Sequence, residues 1–83
     1  MTRPVTVTLY GTLANLAGVS KVELEAKTIR DVLRGLEAAH PALADHLESG
    51  VSVSVDGRIY TESLFQPVSD ENEVLILPRI AGG

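Results

Sequence analysis

Val74-Leu75-Ile76-Leu77 runs directly into Pro78-Arg79-Ile80-Ala81-Gly82-Gly83 at the C-terminal end of the chain. Four consecutive apolar residues are what a strand covered on both faces requires, so 74–77 reads as a strand in the middle of a sheet. Pro78 brings no N–H to a ladder and biases Leu77 towards extended backbone, which predicts that the chain leaves the sheet there and continues outward. At roughly 3.3–3.6 Å per residue, the segment 78–83 reaches about 20 Å. Such a tail is slim, because Gly82 and Gly83 carry no side chains, and its last group is the terminal carboxylate.

A middle strand needs neighbours, and the rest of the chain supplies them. Val5-Thr6-Val7-Thr8-Leu9-Tyr10 alternates apolar and polar residues with β-branched enrichment, which predicts a strand with Val5, Val7 and Leu9 inward. Gly11 to Ser20 reads as a turn region holding one helical turn closed by Gly18, before Lys21-Val22-Glu23-Leu24-Glu25 alternates again as an antiparallel second strand. Thr28-Ile29-Arg30-Asp31 carries a helix-start signature, a capping threonine with an acid three residues on. Ile29, Val32, Leu33 and Leu36 then form one apolar stripe, with Arg30, Arg34 and Glu37 off it, until Pro41.

Residues 41–48 read as a second short helical piece, with Leu43 and Leu47 four apart. Val51-Ser52-Val53-Ser54-Val55 alternates cleanly, and Asp56-Gly57 is a two-residue hairpin signal leading into Arg58-Ile59-Tyr60. Leu64, Phe65 and Val68 are expected to reach the core from a loop, and Ser69-Asp70-Glu71-Asn72 to form the polar turn before the last strand. The sum is an α+β fold in which one mixed sheet packs on one main helix, the last strand lying central and parallel to the first. That is the β-grasp arrangement. The expected organisation is a single domain over 1–83 with a flexible tail over 78–83.

Composition narrows what such a domain does. The chain has 83 residues, 45% of them hydrophobic, with mean hydropathy near zero, as soluble globular proteins have. Its apolar runs are far shorter than a membrane span, and Met1-Thr2-Arg3-Pro4 is unlike a secretory signal, so a cytoplasmic location is expected. Seven basic against eleven acidic residues give a net charge of −4, which disfavours binding to nucleic acid or anionic membrane. Without cysteine there is no disulfide, no thiolate metal site and no side-chain thiol on which to store sulfur.

Motifs for catalysis are missing as well. Gly11 and Gly18 lack phosphate-loop spacing, no serine sits in a nucleophile elbow, and His40 and His46 flank a proline at a spacing that does not suit a shared metal. Asp70, Glu71 and Glu73 read as a solvated turn with an additional capacity to steer docking. The one candidate reactive group is the terminal carboxylate. With a pKa of about 3.3–3.7 it is an anion at neutral pH and a poor acyl donor, so another enzyme has to activate it. Adenylation with ATP would give a mixed anhydride from which a sulfur nucleophile displaces AMP, and a terminal glycine leaves that carbonyl open to attack.

The alternating first strand, Leu-Ala-Gly at 16–18, the capped helix over 28–39, Val-Asp-Gly at 55–57, Glu-Val at 73–74 and Pro-x-Ile-Ala-Gly-Gly at 78–83 together resemble the MoaD/ThiS sulfur carriers. The similarity runs along essentially the whole chain. It implies a ubiquitin-like fold and a non-enzymatic carrier that binds no cofactor of its own. Gly83 would be adenylated by a ubiquitin-activating-type enzyme of the MoeB/ThiF kind, at the cost of ATP, and converted to a thiocarboxylate, with Ala81 and Gly82 as the narrow tail. MoaD-type members dock on the large subunit of molybdopterin synthase through an outward apolar face and the tail. Here those positions are Tyr10, Leu75, Leu77, Pro78, Arg79 and Ile80. A continuous apolar strand equally allows Leu75 and Leu77 to be core. Many MoaD-type tails carry two prolines where this chain has Pro78-Arg79, so a carrier for cysteine, thiamin or tRNA thiolation is a further reading, as is a ubiquitin-like modifier or a plain binding module.

Overall fold

The computed structural model describes residues 3–60 and 64–78. Five strands, β1 (Val5–Leu9), β2 (Lys21–Leu24), β3 (Val51–Val55), β4 (Arg58–Tyr60) and β5 (Val74–Pro78), form one sheet in the order β2-β1-β5-β3-β4. The helices are α1 (Thr12–Ala17), α2 (Ile29–Ala39) and α3 (Ala44–Ser49), with a 3-10 turn at Pro41–Leu43 leading into the last. β5 is the middle strand, parallel to β1 and antiparallel to β3. The mixed sheet packed on a main helix is the β-grasp layout expected from the pattern.

Alternation sorts the strands. Val5, Val7 and Leu9 of β1, Val74 and Ile76 of β5, and Val51, Val53 and Val55 of β3 are all buried. They meet Ile29, Val32 and Leu36 of α2, together with Leu13 and Leu43, in one core. Gly35 sits where α2 crosses β2: a Cβ there would lie 3.2 Å from Cδ1 of Leu24, so the glycine allows helix and strand to approach closely.

The α2 start is a complete capping box. The Asp31 N–H donates to Thr28 Oγ1 at 3.3 Å, and Asp31 Oδ2 accepts from the N–H groups of Lys27 (3.0 Å) and Thr28 (3.2 Å). These contacts, the Lys27 N–H foremost, hold the Asp31 carboxyl below its ordinary pKa. A carboxyl depressed in the folded state stabilises the fold above its unfolded pKa and loses that contribution as pH falls through the folded value. Thr28→Ala should therefore cost about 1 kcal/mol at neutral pH. Asp31→Asn should also lower Tm at neutral pH, and its deficit should shrink on acidification below about pH 4, which thermal unfolding followed at several pH values will read.

Two expectations need correction. Leu64 and Phe65 are 42% and 73% exposed, and Val68 is the one buried residue among the described residues of that loop. The loop serves α2 with its backbone instead: the Ile29 and Arg30 N–H groups donate to the carbonyls of Gln66 (3.0 Å) and Leu64 (2.8 Å), and the Val68 N–H donates to Lys27 O. A backbone committed to the open end of a helix turns these side chains outward. Pro78 is also still in the strand, opposite Val51. A proline can take a last rung because it lacks only the N–H, while its extended backbone and its carbonyl are kept.

Candidate functional site

The open face of the sheet follows from register. Thr8 of β1 and Ser54 of β3 lie beside Leu75, and Ser52 lies beside Leu77. Ile59 of β4 pairs with Ser54 and so shares that face. Tyr10 follows β1 with the same parity, and its N–H donates to Ile76 O at 3.2 Å, extending the parallel pairing to the level of Leu77. Tyr10 is 45% and Ile59 53% exposed, whereas Leu75 and Leu77 are half-buried. The two leucines are thus outside the core, on a face that no helix among the described residues covers. Ser54, only 3% exposed, is sunk between its neighbours Leu75 and Ile59.

At the end of this face the last strand is held from two sides. Pro78 pairs with Val51 across β3, and on the other side its ring lies where a Cβ on Gly11 would come within 3.5 Å of Cγ. Gly11 has φ 60° and ψ −133°, a backbone closed to residues with side chains. Tyr10, Leu75, Leu77 and Pro78 are therefore brought together at the point where the chain passes on to 79–83. Arg79, Ile80, Ala81, Gly82 and Gly83, and with them the expected flexibility of the tail, lie outside the described residues.

The acidic residues occupy the other end. Asp70, Glu71 and Glu73 precede β5, about 15 Å from Pro78 at roughly 3.3 Å per strand residue, and Asp70 lies 3.7 Å from Arg3 in an exposed ion pair. Steering by these groups would act on the far end of the face, away from Pro78. A structural tie missed by sequence reading lies nearby. Asp56 and Gly57 turn the β3–β4 hairpin with φ of 51° and 87°, as a type I′ turn requires. The Asp56 carboxylate accepts from the Glu73 N–H (2.7 Å) and from Asn72 Nδ2 (2.6 Å), fastening that hairpin to the start of β5. Ile59 was also missed as a surface residue, although a two-residue turn with Val55 inward sends Ile59 outward by parity.

Among the described residues no group of His, Cys, Asp or Glu is placed to hold a metal ion, and no helix is long and apolar enough to cross a membrane. What the geometry offers is a surface with an apolar ridge that ends at Pro78.

A sheet ordered β2-β1-β5-β3-β4 over one main helix, with its last strand in the centre, defines a ubiquitin-like β-grasp domain. The chain belongs to the ThiS family, whose model matches residues 7–83. Among solved structures it is similar to SAMP1 from Haloferax volcanii, at 26% identity over 96% of this chain and 99% of that one, with a TM-score of 0.76. It is similar to the chain in the BexX/CysO complex of Amycolatopsis orientalis, at 25% identity over 95% and 99%, TM-score 0.74. It shares its fold with a putative molybdopterin converting factor, subunit 1, from Pyrococcus furiosus, at 20% identity over 95% and 100%, TM-score 0.79. No curated protein matches at a significant level. The chain is thus a ThiS/MoaD-type sulfur carrier or ubiquitin-like modifier, a kind of small protein that is generally non-catalytic.

Proposed function

We propose that this protein carries sulfur on the carboxyl group of Gly83. A partner of the ubiquitin-activating type joins that carboxylate to the AMP moiety of ATP and releases pyrophosphate. Hydrosulfide, or its equivalent delivered by the sulfur donor at the same oxidation level, then attacks the acyl carbon, AMP departs with the electrons of the broken C–O bond, and loss of the S–H proton leaves a thiocarboxylate. The acceptor is a synthase subunit that binds the open sheet face and draws the tail into its own cleft. Synthesis of molybdopterin is the favoured destination, with this chain as the small subunit of molybdopterin synthase, and thiolation for cysteine, thiamin or tRNA is the alternative.

The observation that supports this reading most is the place of β5. It is laddered on both sides and buried through Val74 and Ile76, so residues beyond Pro78 start from the central strand of the sheet and beside an uncovered apolar ridge. A group to be handed between two enzymes needs that combination of firm base and narrow extension. Incubation with an activating enzyme, ATP and a sulfur donor should give a mass gain equal to replacing one oxygen by sulfur. No gain with any activating partner would overturn the proposal.

Leu77 tests the docking half. It is half-buried on the open face, away from the core, so Leu77→Glu should leave Tm nearly unchanged while placing an unpaired carboxylate in the interface. Binding to the acceptor, followed by calorimetry, should weaken by at least about tenfold, as loss of a central apolar anchor does.

Similarity to SAMP1, described as a small archaeal modifier protein, favours a second reading in which the activated Gly83 carbonyl is transferred to lysine amines of other proteins. Isopeptide adducts that survive reduction and denaturation would select it over sulfur delivery.

A further inference from the structure

The open sheet face has a direction. Register arranges its residues in rows that cross the strands, about 6.6 Å apart at roughly 3.3 Å per residue. The row nearest Pro78 is apolar. The Leu9 N–H donates to Ser20 O at 2.7 Å, which carries the β1–β2 pairing past Lys21 and sets Val19 opposite Tyr10. Val19 has the parity of Lys21 and Glu23, so it joins Tyr10 and Leu77 on the open face, and it is 43% exposed. The middle row holds Lys21, Thr8, Leu75, Ser54 and Ile59. In the far row Glu23 pairs with Thr6, and Glu73 stands beside Asp56, whose N–H donates to Glu73 O at 2.9 Å. Two of the acids at that end are already engaged: the Asp56 carboxylate by Asn72 and the Glu73 N–H, and Asp70 by Arg3. The side chains of Glu23 and Glu73 are exposed and form no ion pair among the described residues.

Glu23 and Glu73 are two strands apart, about 10 Å, and Glu73 lies about 13 Å along β5 from Leu77. At physiological ionic strength the screening length is about 8 Å, so cations on a partner feel these carboxylates only when the face meets them the right way round. A partner turned end for end would press its apolar surface on two glutamates and strip their water without replacing it, which is strongly unfavourable. We infer that the partner's docking surface has two parts, an apolar pocket that receives Val19, Tyr10 and Leu77 and, about 13 Å away, basic side chains opposite Glu23 and Glu73. The inference rests on the reading that an acceptor subunit binds this face. It gives the two ends different roles. The glutamates select the orientation of approach, so that the residues after Pro78 arrive at the acceptor's cleft, and the apolar row sets how long the complex lasts. A second copy of the chain fits poorly, because its own open face brings a single cation, Lys21, against the acids of the far row.

Association with the large subunit of molybdopterin synthase, the acceptor favoured above, separates these roles when followed by stopped flow at about 0.1 M and about 1 M salt. Between the two, the screening length falls from about 10 Å to about 3 Å. The double variant E23K/E73K should lower the on-rate about fivefold or more at the lower salt, lose most of that deficit at the higher, and change the off-rate by less than about threefold. Val19→Ser should do the reverse, raising the off-rate about fivefold or more with the on-rate kept. As a control, E37K/E48K shifts the net charge equally from a recess beside α2 and should leave the on-rate within about twofold of the wild type. Every substituted side chain is exposed, and circular dichroism confirms that each variant is folded. Wild-type binding whose on-rate is indifferent to E23K/E73K, or is lowered as much by E37K/E48K, would overturn the inference and leave the carrier reading intact. So would an off-rate untouched by Val19→Ser. A wild-type chain that does not bind the acceptor at about 100 µM would overturn both the inference and the docking half of the carrier reading. A dimer of the free chain, seen by native mass spectrometry and dissolved by Leu77→Glu, would show the face taken by a second copy and overturn the inference as well.

Discussion

Removal of Gly83 is expected to abolish sulfur loading altogether while leaving the thermal unfolding of the domain unchanged. Among the described residues the core is built between Val5 and Ile76, and Gly83 has no side chain to add to a core. The chemistry depends on it. Without Gly83 the terminal carboxyl belongs to Gly82 and stands one residue, about 3.5 Å, short of its place in an activating enzyme. A displacement of about 1 Å can already cost a hundredfold in a reaction that relies on alignment, so this larger one should remove activity to the limit of detection. Intact-mass analysis after incubation with activating enzyme, ATP and sulfur donor is the readout, with Tm as the control. Normal loading of the shortened chain would refute the role given to Gly83. Loading lost together with a large fall in Tm would show that the residue acts through the fold.

Ile76→Ala should have the largest effect on stability. Ile76 is fully buried, lies on the central strand, and sits between Leu9 of β1 and Val53 of β3 in register. Truncation there leaves a cavity that β5, laddered on both sides, cannot collapse to fill, and such changes cost about 2–5 kcal/mol. An 83-residue domain has on the order of 4–12 kcal/mol in total at roughly 0.05–0.15 kcal/mol per residue. Tm should fall by more than about 10 °C, at roughly 4–8 °C per kcal/mol for a domain of this size, and the protein should be partly unfolded at physiological temperature. Leu77→Glu one position along makes the contrast: a harsher change in polarity with little effect on folding, because the strand's parity turns it to the open face.

Much of this architecture was legible in the residues. The alternation of Val5, Val7 and Leu9, the Thr28–Asp31 cap and the Asp56-Gly57 turn are local signals, and each depends on contacts among residues a few positions apart. Leu64 and Phe65 were misread for the complementary reason. Hydrophobicity alone says that a side chain gains by burial, but whether it can turn inward depends on where its backbone is held. Here that backbone is spent on the N–H groups of Ile29 and Arg30, more than thirty positions away in the chain. The same limit hid the bond from Asp56 to Asn72 and Glu73.

Sequence alone determined the inventory: which segments are strands and helices, that the last strand is central, and that a Gly-Gly terminus follows a proline. These are set by periodicity, capping and steric exclusion, which act along the chain. Only the tertiary structure decided which side of β5 is uncovered, placing Leu75 and Leu77 beside Tyr10 and Ile59 outside the core, and only it set Pro78 between Gly11 and Val51. An unbroken apolar strand is compatible with cover on one face or on two. The choice rests on how many helices the chain has to lay over the sheet, and that is a matter of packing between distant segments.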